Sequence, residues 1–318
     1  MAIESFFILN SSFEILHSTH MAGSFPPDMI VLDSDGFIHA RLLRGKKGPR
    51  IVQAKAYRLS PDTFVPAVVT PQLTNESSLA EALRRLRIET GRWDRVSLLL
   101  PDSWFRINIL ELPSLPEGAR EAEEMVRWSL KRTMPIDPQL LRIRYEVLSR
   151  TPTHSKVLAL TAIDETLTAI EKVFNAAGIE VVIIEPIGMN IWNAITAREP
   201  NTSRDRLFFY VRQGEFTTAA FRGSQPLFIR SRNLNGERTL EQEIKLSGSY
   251  LRDTLRTDSV ERCYVSGNSI DGQIASIIGT EFGAPVHKVS LADYSDGWPE
   301  GIGDFESELA ACTGVFTA

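Results

Sequence analysis

Cysteine is scarce. The 318 residues hold two, Cys263 and Cys312, and no CxxC pair. A disulfide framework would need more, so both thiols read as reduced and buried, as in a reducing compartment. No apolar run reaches the roughly 20 residues that span a bilayer. The N-terminal Phe6-Phe7-Ile8-Leu9 is short and has no basic segment before it, unlike a signal peptide. Membrane association would therefore have to come through a partner. Excess positive charge is also missing: the formal net charge is -5. Without a broad basic surface, nucleic acid is excluded as the main partner. Histidines are few and scattered. Only His17 and His20 stand close together, with no matching cysteine or acid set, so no metal site is expected. Asp102-Ser103 with the distant His154 lacks a G-x-S-x-G elbow and does not make a hydrolase.

What is present is ordinary globular material, 43% hydrophobic and 24% charged, which excludes disorder over the whole length. At this length two domains are expected. Residues 1–27 show no sustained period and read as a tail, with Met1 and Met21 both open as starts. Met29–Leu32, Phe37–Leu43 and Ile51–Leu59 then form a β-meander. Its first turn is Asp33-Ser34-Asp35-Gly36. Asn75 opens a helix with Leu79, Leu83 and Leu86 on one face, and Trp93–Leu100 is a buried strand.

The clearest stretch follows. Phe105–Leu112 alternates apolar and polar residues as a half-buried strand does, and Ala119–Arg132 is a helix. The Met134-Pro135-Ile136-Asp137-Pro138 segment ends that helix. Two more strands, Leu141–Leu148 and Lys156–Ile163, flank a hairpin loop. Asp164 is placed to cap a second helix stopped by Gly178, and Ile179–Ile184 is a last strand. The order is strand, helix, strand, strand, helix, strand, a split β-α-β module over 104–186. Beyond it come a helix (187–197), a second meander (207–211, 217–222 and 227–231), a helix from Leu240, a strand at Cys263–Val265, a helix at 270–282, a short strand and a closing helix at 306–315. Both halves repeat one plan, a meander followed by helices alternating with buried strands.

A duplicated β-β-β-α-β-α plan is the signature of the actin-like (ribonuclease H-like) ATPase fold. Glu111-Leu112-Pro113, Glu121–Trp128, Met134-Pro135-Ile136, Ile143–Leu148, Asn175-Ala176-Ala177-Gly178-Ile179, Glu185-Pro186 and Phe221-Arg222-Gly223 resemble passages of the PilM family of type IV pilus assembly proteins. The resemblance spans about 29–316 and is specific over 104–190. It implies an α/β, FtsA-like fold with a first actin-like subdomain at 28–103, the inserted subdomain at 104–186, and a reduced second half at 187–318. It also implies a cytoplasmic protein, peripheral to the inner membrane. A groove beside the inserted subdomain would hold the cytoplasmic N-terminal tail of PilN, a single-span membrane protein. The pilus motor ATPases would be reached indirectly, and self-association is a further partner to test. Trp104, Phe105 and Trp128 lie in or beside that docking region. As large aromatics they fit either a peptide groove or the module's core.

The family's nucleotide cleft would map onto Asp33, Gly36, Gly214, Thr217 and Gly267, with ATP and Mg²⁺ as its cofactors. The sequence departs from the pattern there. Phe37 and Ile38 replace hydroxyl residues at the first phosphate turn, and Arg212 stands where a metal-positioning aspartate belongs. Glu215 would repel a γ-phosphate, and Ser266-Gly267-Asn268 keeps one glycine of the adenosine turn. Asn235-Gly236 leads almost at once to the helix at Leu240, so most of an upper lobe is expected to be missing. The first expectation is a scaffold that binds without catalysis. Two others stand beside it. One is an ATPase that switches or polymerises. The other is a type II secretion cytoplasmic domain like that of GspL, which would be followed by a transmembrane helix.

Overall fold

The computed structural model describes residues 13–14, 25–46, 48–65, 71–132, 134, 136–199, 202–212, 214–223, 225–234, 238–255, 259–301 and 305–317. Within the expected tail, β1 (Phe13–Glu14) pairs antiparallel with a strand near Ile184. His17, His20 and Met21 lie outside the described residues. The first meander is β2 (Asp28–Asp33), β3 (Gly36–Arg44) and β4 (Pro49–Arg58). Its first turn closes where the Asp33 carboxylate accepts the Ser34 N–H at 2.6 Å. A two-residue pair, β5 (Phe64–Val65) and β6 (Gln72–Leu73), leads to α1 (Glu76–Thr90). Asn75 caps that helix by accepting the Ser78 N–H. The strand β7 (Arg95–Leu100) then runs parallel to β2.

Next come β8 (Arg106–Pro113), α2 (Ala119–Lys131), β9 (Leu141–Arg150), β10 (His154–Ile163), α3 (Asp164–Ala176) and β11 (Glu180–Pro186). This is the predicted order, and the structure divides it between two sheets. Strands β8, β10 and β9 form a three-stranded antiparallel sheet of their own. Strand β11 instead pairs parallel with β7 in the large sheet. Helix α3 packs on that large sheet through Leu167, Ile170, Val173 and Phe174. The reason is apolar burial: β11 is buried on nearly every residue, which suits a central parallel strand rather than the edge of a small sheet. Asp164 does not cap α3. It is the first helical residue, and its carboxylate takes Arg142 at 2.8 Å.

The second half begins with α4 (Ile187–Arg198) and repeats the first half's plan. A meander of β12 (Asp205–Arg212), β13 (Glu215–Arg222) and β14 (Gln225–Asn233) precedes α5 (Leu240–Asp253), β15 (Val260–Ser266), α6 (Gly272–Phe282) and β16 (Val286–Lys288). Only residues 234–239 separate β14 from α5. Short α7 (Leu291–Tyr294) and α8 (Glu306–Thr317) follow. The sheet orders show the duplication. One sheet runs β1-β11-β7-β2-β3-β4 and the other β14-β13-β12-β15-β16. Apart from β1, each places its meander on one side and two parallel strands on the other.

Helices α4 and α8 fill the layer between the two large sheets. One apolar core joins Met29, Val31 and Ile38 of the first sheet to Phe208, Tyr210 and Phe221 of the second through Trp192, Leu309 and Val315. A Cβ on Gly314 would land on the Asn190 carbonyl, so these helices pack closer than any side chain there would allow. The outer faces are covered by α1 with α3 and by α5 with α6. Helix α2 covers one face of the small sheet through Ala122, Val126 and Leu130.

Candidate functional site

Two places collect the residues singled out from sequence. The first is the cleft between the lobes. The β2–β3 and β12–β13 turns meet there, bringing Asp33 opposite Arg212. The guanidinium forms ion pairs with Asp33, Nη1 to Oδ2 at 2.7 Å, and with Glu308 of α8, Nε to Oε1 at 2.8 Å. Both lobes and the central helix layer are thereby tied to one cation. Glu308 is fully buried. Beside this pair the Ser103 hydroxyl donates to Glu215. Asp102 is buried and accepts the Gly188 N–H at 2.7 Å, at the start of α4. A Cβ on Gly188 would fall on the other Asp102 oxygen, which has no hydrogen-bond partner among the described residues.

Burial pushes the Asp102 carboxyl up to about 6, against the pull of the Gly188 N–H. Burial likewise pushes Glu215 up to about 7. The Ser103 hydroxyl lowers it, while the charges of Asp33 and Asp102 push further up. Acids thus line this part of the cleft, and Arg212 is already paired with two of them.

The other predicted cleft residues stand at or near strand ends and turns. Thr217 is buried and shares a hydrogen bond of 2.9 Å with Ser231. Gly214 turns the β12–β13 hairpin at φ 82°. Gly267, at φ 110°, lets the end of β15 press on β12, where a Cβ would meet the Val211 carbonyl. A Cβ on Gly36 would strike the Tyr57 carbonyl of β4. Among the described residues, no group of three or more His, Cys, Asp or Glu is placed to hold a metal ion.

The second place is a groove of about 1050 Å³ beside the small sheet, lined by α2, β9 and the start of α3. Strand β9 is an edge strand of the small sheet, and among the described residues it pairs with β10 alone. Arg127 of α2 donates to the Leu141 carbonyl at 3.1 Å and pairs with Glu123 at 2.9 Å. Arg142 of β9 reaches Asp164 and Glu171 of α3, pinning the small sheet to the first lobe. The groove's charges are therefore largely paired internally, and its apolar feature is Trp128. That indole is 64% exposed, with Arg132 over its ring at 5.8 Å.

The structure separates the three aromatics expected to dock a peptide. Trp104 is 2% and Phe105 1% exposed, both in the core under α1 and α3, where Trp104 packs on Phe64 at 5.2 Å. Neither offers surface, so both are corrected to core. They sit in and just after a short turn at Asp102–Trp104 that points inward, before β8 begins. Trp128 alone lines the groove.

No protein-family sequence profile matches the chain, and neither does any curated protein sequence. Solved structures do match. The PilM-PilN type IV pilus biogenesis complex superposes with a TM-score of 0.74 at 19% identity, over 90% of this chain and 96% of that one. The fold is PilM-like and actin-like. A Bacteroides thetaiotaomicron protein with the actin-like ATPase fold and unknown function gives 0.54 at 12% identity, covering 90% and 94%. The cytoplasmic domain of EpsL, an inner-membrane component of the type II secretion system of Vibrio cholerae, gives 0.50 at 12%, covering 92% and 94%. The duplicated α/β architecture expected from sequence is thus shown, and at these identities the likeness is one of fold. No described helix is long and apolar enough to cross a membrane.

Sequence reasoning missed Glu308 and the partnership of Ser103 with Glu215. One signal was available: Glu308 directly precedes Leu309-Ala310-Ala311-Cys312. An acid beside such a buried run needs a cation, and Arg212 supplies it.

Proposed function

We propose that the chain is a docking platform of a type IV pilus or type II secretion-like inner-membrane assembly. In this reading it is cytoplasmic and does not hydrolyse ATP. Its groove takes the cytoplasmic tail of a PilN-like single-span membrane protein. The observation that carries the reading is the exposed Trp128 in a groove beside a strand with a free edge. An extended peptide adds main-chain hydrogen bonds to such an edge, and an aromatic anchor gives it affinity. The PilM-PilN complex among the structural neighbours supports the same choice of partner class. Arg212 supports the absence of catalysis. Its ion pairs take up Asp33 and Glu308, acids that could otherwise meet Mg²⁺ in this reading, and Glu215 and Asp102 oppose further negative charge. The short 234–239 connection leaves no cover for a base in this reading.

The test is binding of the N-terminal peptide of the PilN-like protein from the same organism, measured by calorimetry. Trp128→Ala should weaken it at least about tenfold, the effect of losing one aromatic anchor. Unchanged affinity in a folded variant would remove the groove from the reading. Micromolar binding of Mg²⁺-ATP to the native chain would overturn its nucleotide-free part.

A further inference from the structure

The β3–β4 hairpin takes no part in the cleft or the groove. Its turn runs Arg44-Gly45-Lys46-Lys47-Gly48. The segment after α7 folds back over this end. The Asp296 N–H donates to the Pro49 carbonyl at 2.8 Å, and the Ile51 N–H donates to the Gly297 carbonyl at 2.9 Å. The Lys46 N–H in turn donates to Asp296 Oδ2 at 2.8 Å. Main-chain bonds therefore hold the tip, and Trp298, the residue after Gly297, is carried beside it.

The tip displays two kinds of side chain together. Arg44, Lys46 and Arg50 are exposed, and among the described residues none of them pairs with a carboxylate. Leu43 is 50%, Val52 42% and Trp298 41% exposed. Leu43 and Arg50 are partners in register, so they share a face of the sheet. Their neighbours Leu42 and Ile51 point the other way, into the central core. Val52 stands unpaired where the register shifts. Unpaired cations around exposed aliphatic groups and an indole form the pattern of a membrane-surface contact. A hairpin end has no groove for a peptide, whereas a fluid bilayer conforms to it.

We propose that this tip rests directly on an anionic bilayer. Arg44, Lys46 and Arg50 would lie among the lipid phosphates, with Trp298 and Leu43 at head-group level. The proposal leans on the docking reading only for the presence of a membrane nearby. Each cation is worth about fivefold, so three favour anionic over neutral lipid by about a hundredfold. Such a contact is weak alone and adds to the hold on a tail in the Trp128 groove.

The probe is vesicles of phosphatidylglycerol in an excess of phosphatidylethanolamine, sedimented with the intact chain at low salt. The native chain should bind, should ignore phosphatidylcholine vesicles, and should be released at about 0.5 M salt. Lys46→Glu with Arg50→Glu should weaken binding at least about twentyfold. Arg84→Glu with Arg92→Glu makes the same change of net charge at exposed arginines on and just after α1. That variant should bind as the native chain does. Equal losses in the two variants would mean that only overall charge counts, and would overturn the proposal.

Brominated lipid reads the indole. Trp128 and Trp298 are the exposed tryptophans, the other three being buried. Quenching should persist in Trp128→Phe and fall in Trp298→Phe, and quenching that Trp298→Phe leaves unchanged would sink the idea. Three further results would also overturn it. One is the absence of vesicle binding by the folded native chain. Another is displacement by millimolar glycerol phosphate, which would make the tip a head-group site. The third is self-association without lipid that Trp298→Ser abolishes, which would give the tip to a second copy. Trp128→Ala should lose the tail peptide and keep the vesicles, so failure of either reading shows separately.

Discussion

The interlobe cleft and the α2–β9 groove are built from the same materials and end in opposite states. Both gather arginines and carboxylates at the meeting of two structural units. In the cleft, one arginine is shared between acids from different elements, and burial turns its bonds into a clamp. In the groove, Arg120, Arg127 and Arg142 each answer an acid close by on α2 or across to α3, and an indole is left over at the surface. Charge that is spent internally closes a site. Apolar surface that is not covered keeps one available.

The largest expected effect separates two tryptophans that the sequence treats alike. Trp104→Ala should cost about 3–5 kcal/mol in urea unfolding, because a fully packed ring leaves a cavity under α1. A small loss would mean that the region is looser than its burial implies. Next comes Arg212→Met, which leaves Asp33 and Glu308 without their cation. A loss of about 3 kcal/mol is expected, with the lobes exchanging amide hydrogens faster at both hairpin tips. If Arg212→Met is neutral, the clamp does not hold the lobes, and the contrast with the groove fails.

Acidity offers a third handle. Asp102 and Glu215 hold their protons more tightly folded than unfolded, so each contributes stability fully at low pH. That contribution fades as pH rises from the unfolded carboxylate range through about 6 for Asp102 and about 7 for Glu215. Between pH 5 and 8 the chain should therefore lose stability on the order of a few kcal/mol. Glu215→Gln should flatten the upper part of that slope, and Asp102→Asn the lower part. A rise in stability over the same window would show that the cleft carboxyls are ionised. The smallest effect is that of Trp128→Ala on stability, within about 0.5 kcal/mol as for an exposed side chain, even as the groove loses its anchor.

Much of the architecture was legible because it rests on local signals. Alternation at Phe105–Leu112, the proline stop after Lys131 and the Asn75 cap each act within a few residues, and their order revealed the duplication. What stayed hidden depends on distance along the chain. That β11 leaves the small sheet for β7 follows from long-range pairing that no local pattern encodes. Whether a tryptophan is core or surface turned on which way a three-residue turn faces. Arg212 was visible as an anomaly, but its answer, Glu308, lies in another helix.

The central helix layer bears on how the chain folds. Helix α8 packs against α4 and against strands of the first meander, which are made much earlier in synthesis. The first sheet therefore emerges with one apolar face uncovered and must wait for a segment far downstream to cover it. High contact order of this kind slows folding and lengthens exposure to aggregation. Shielding by a chaperone until α8 arrives would shorten that exposure, and substitutions at Gly314, where α8 must slide past Asn190, should reduce the yield of native chain before they change anything it binds.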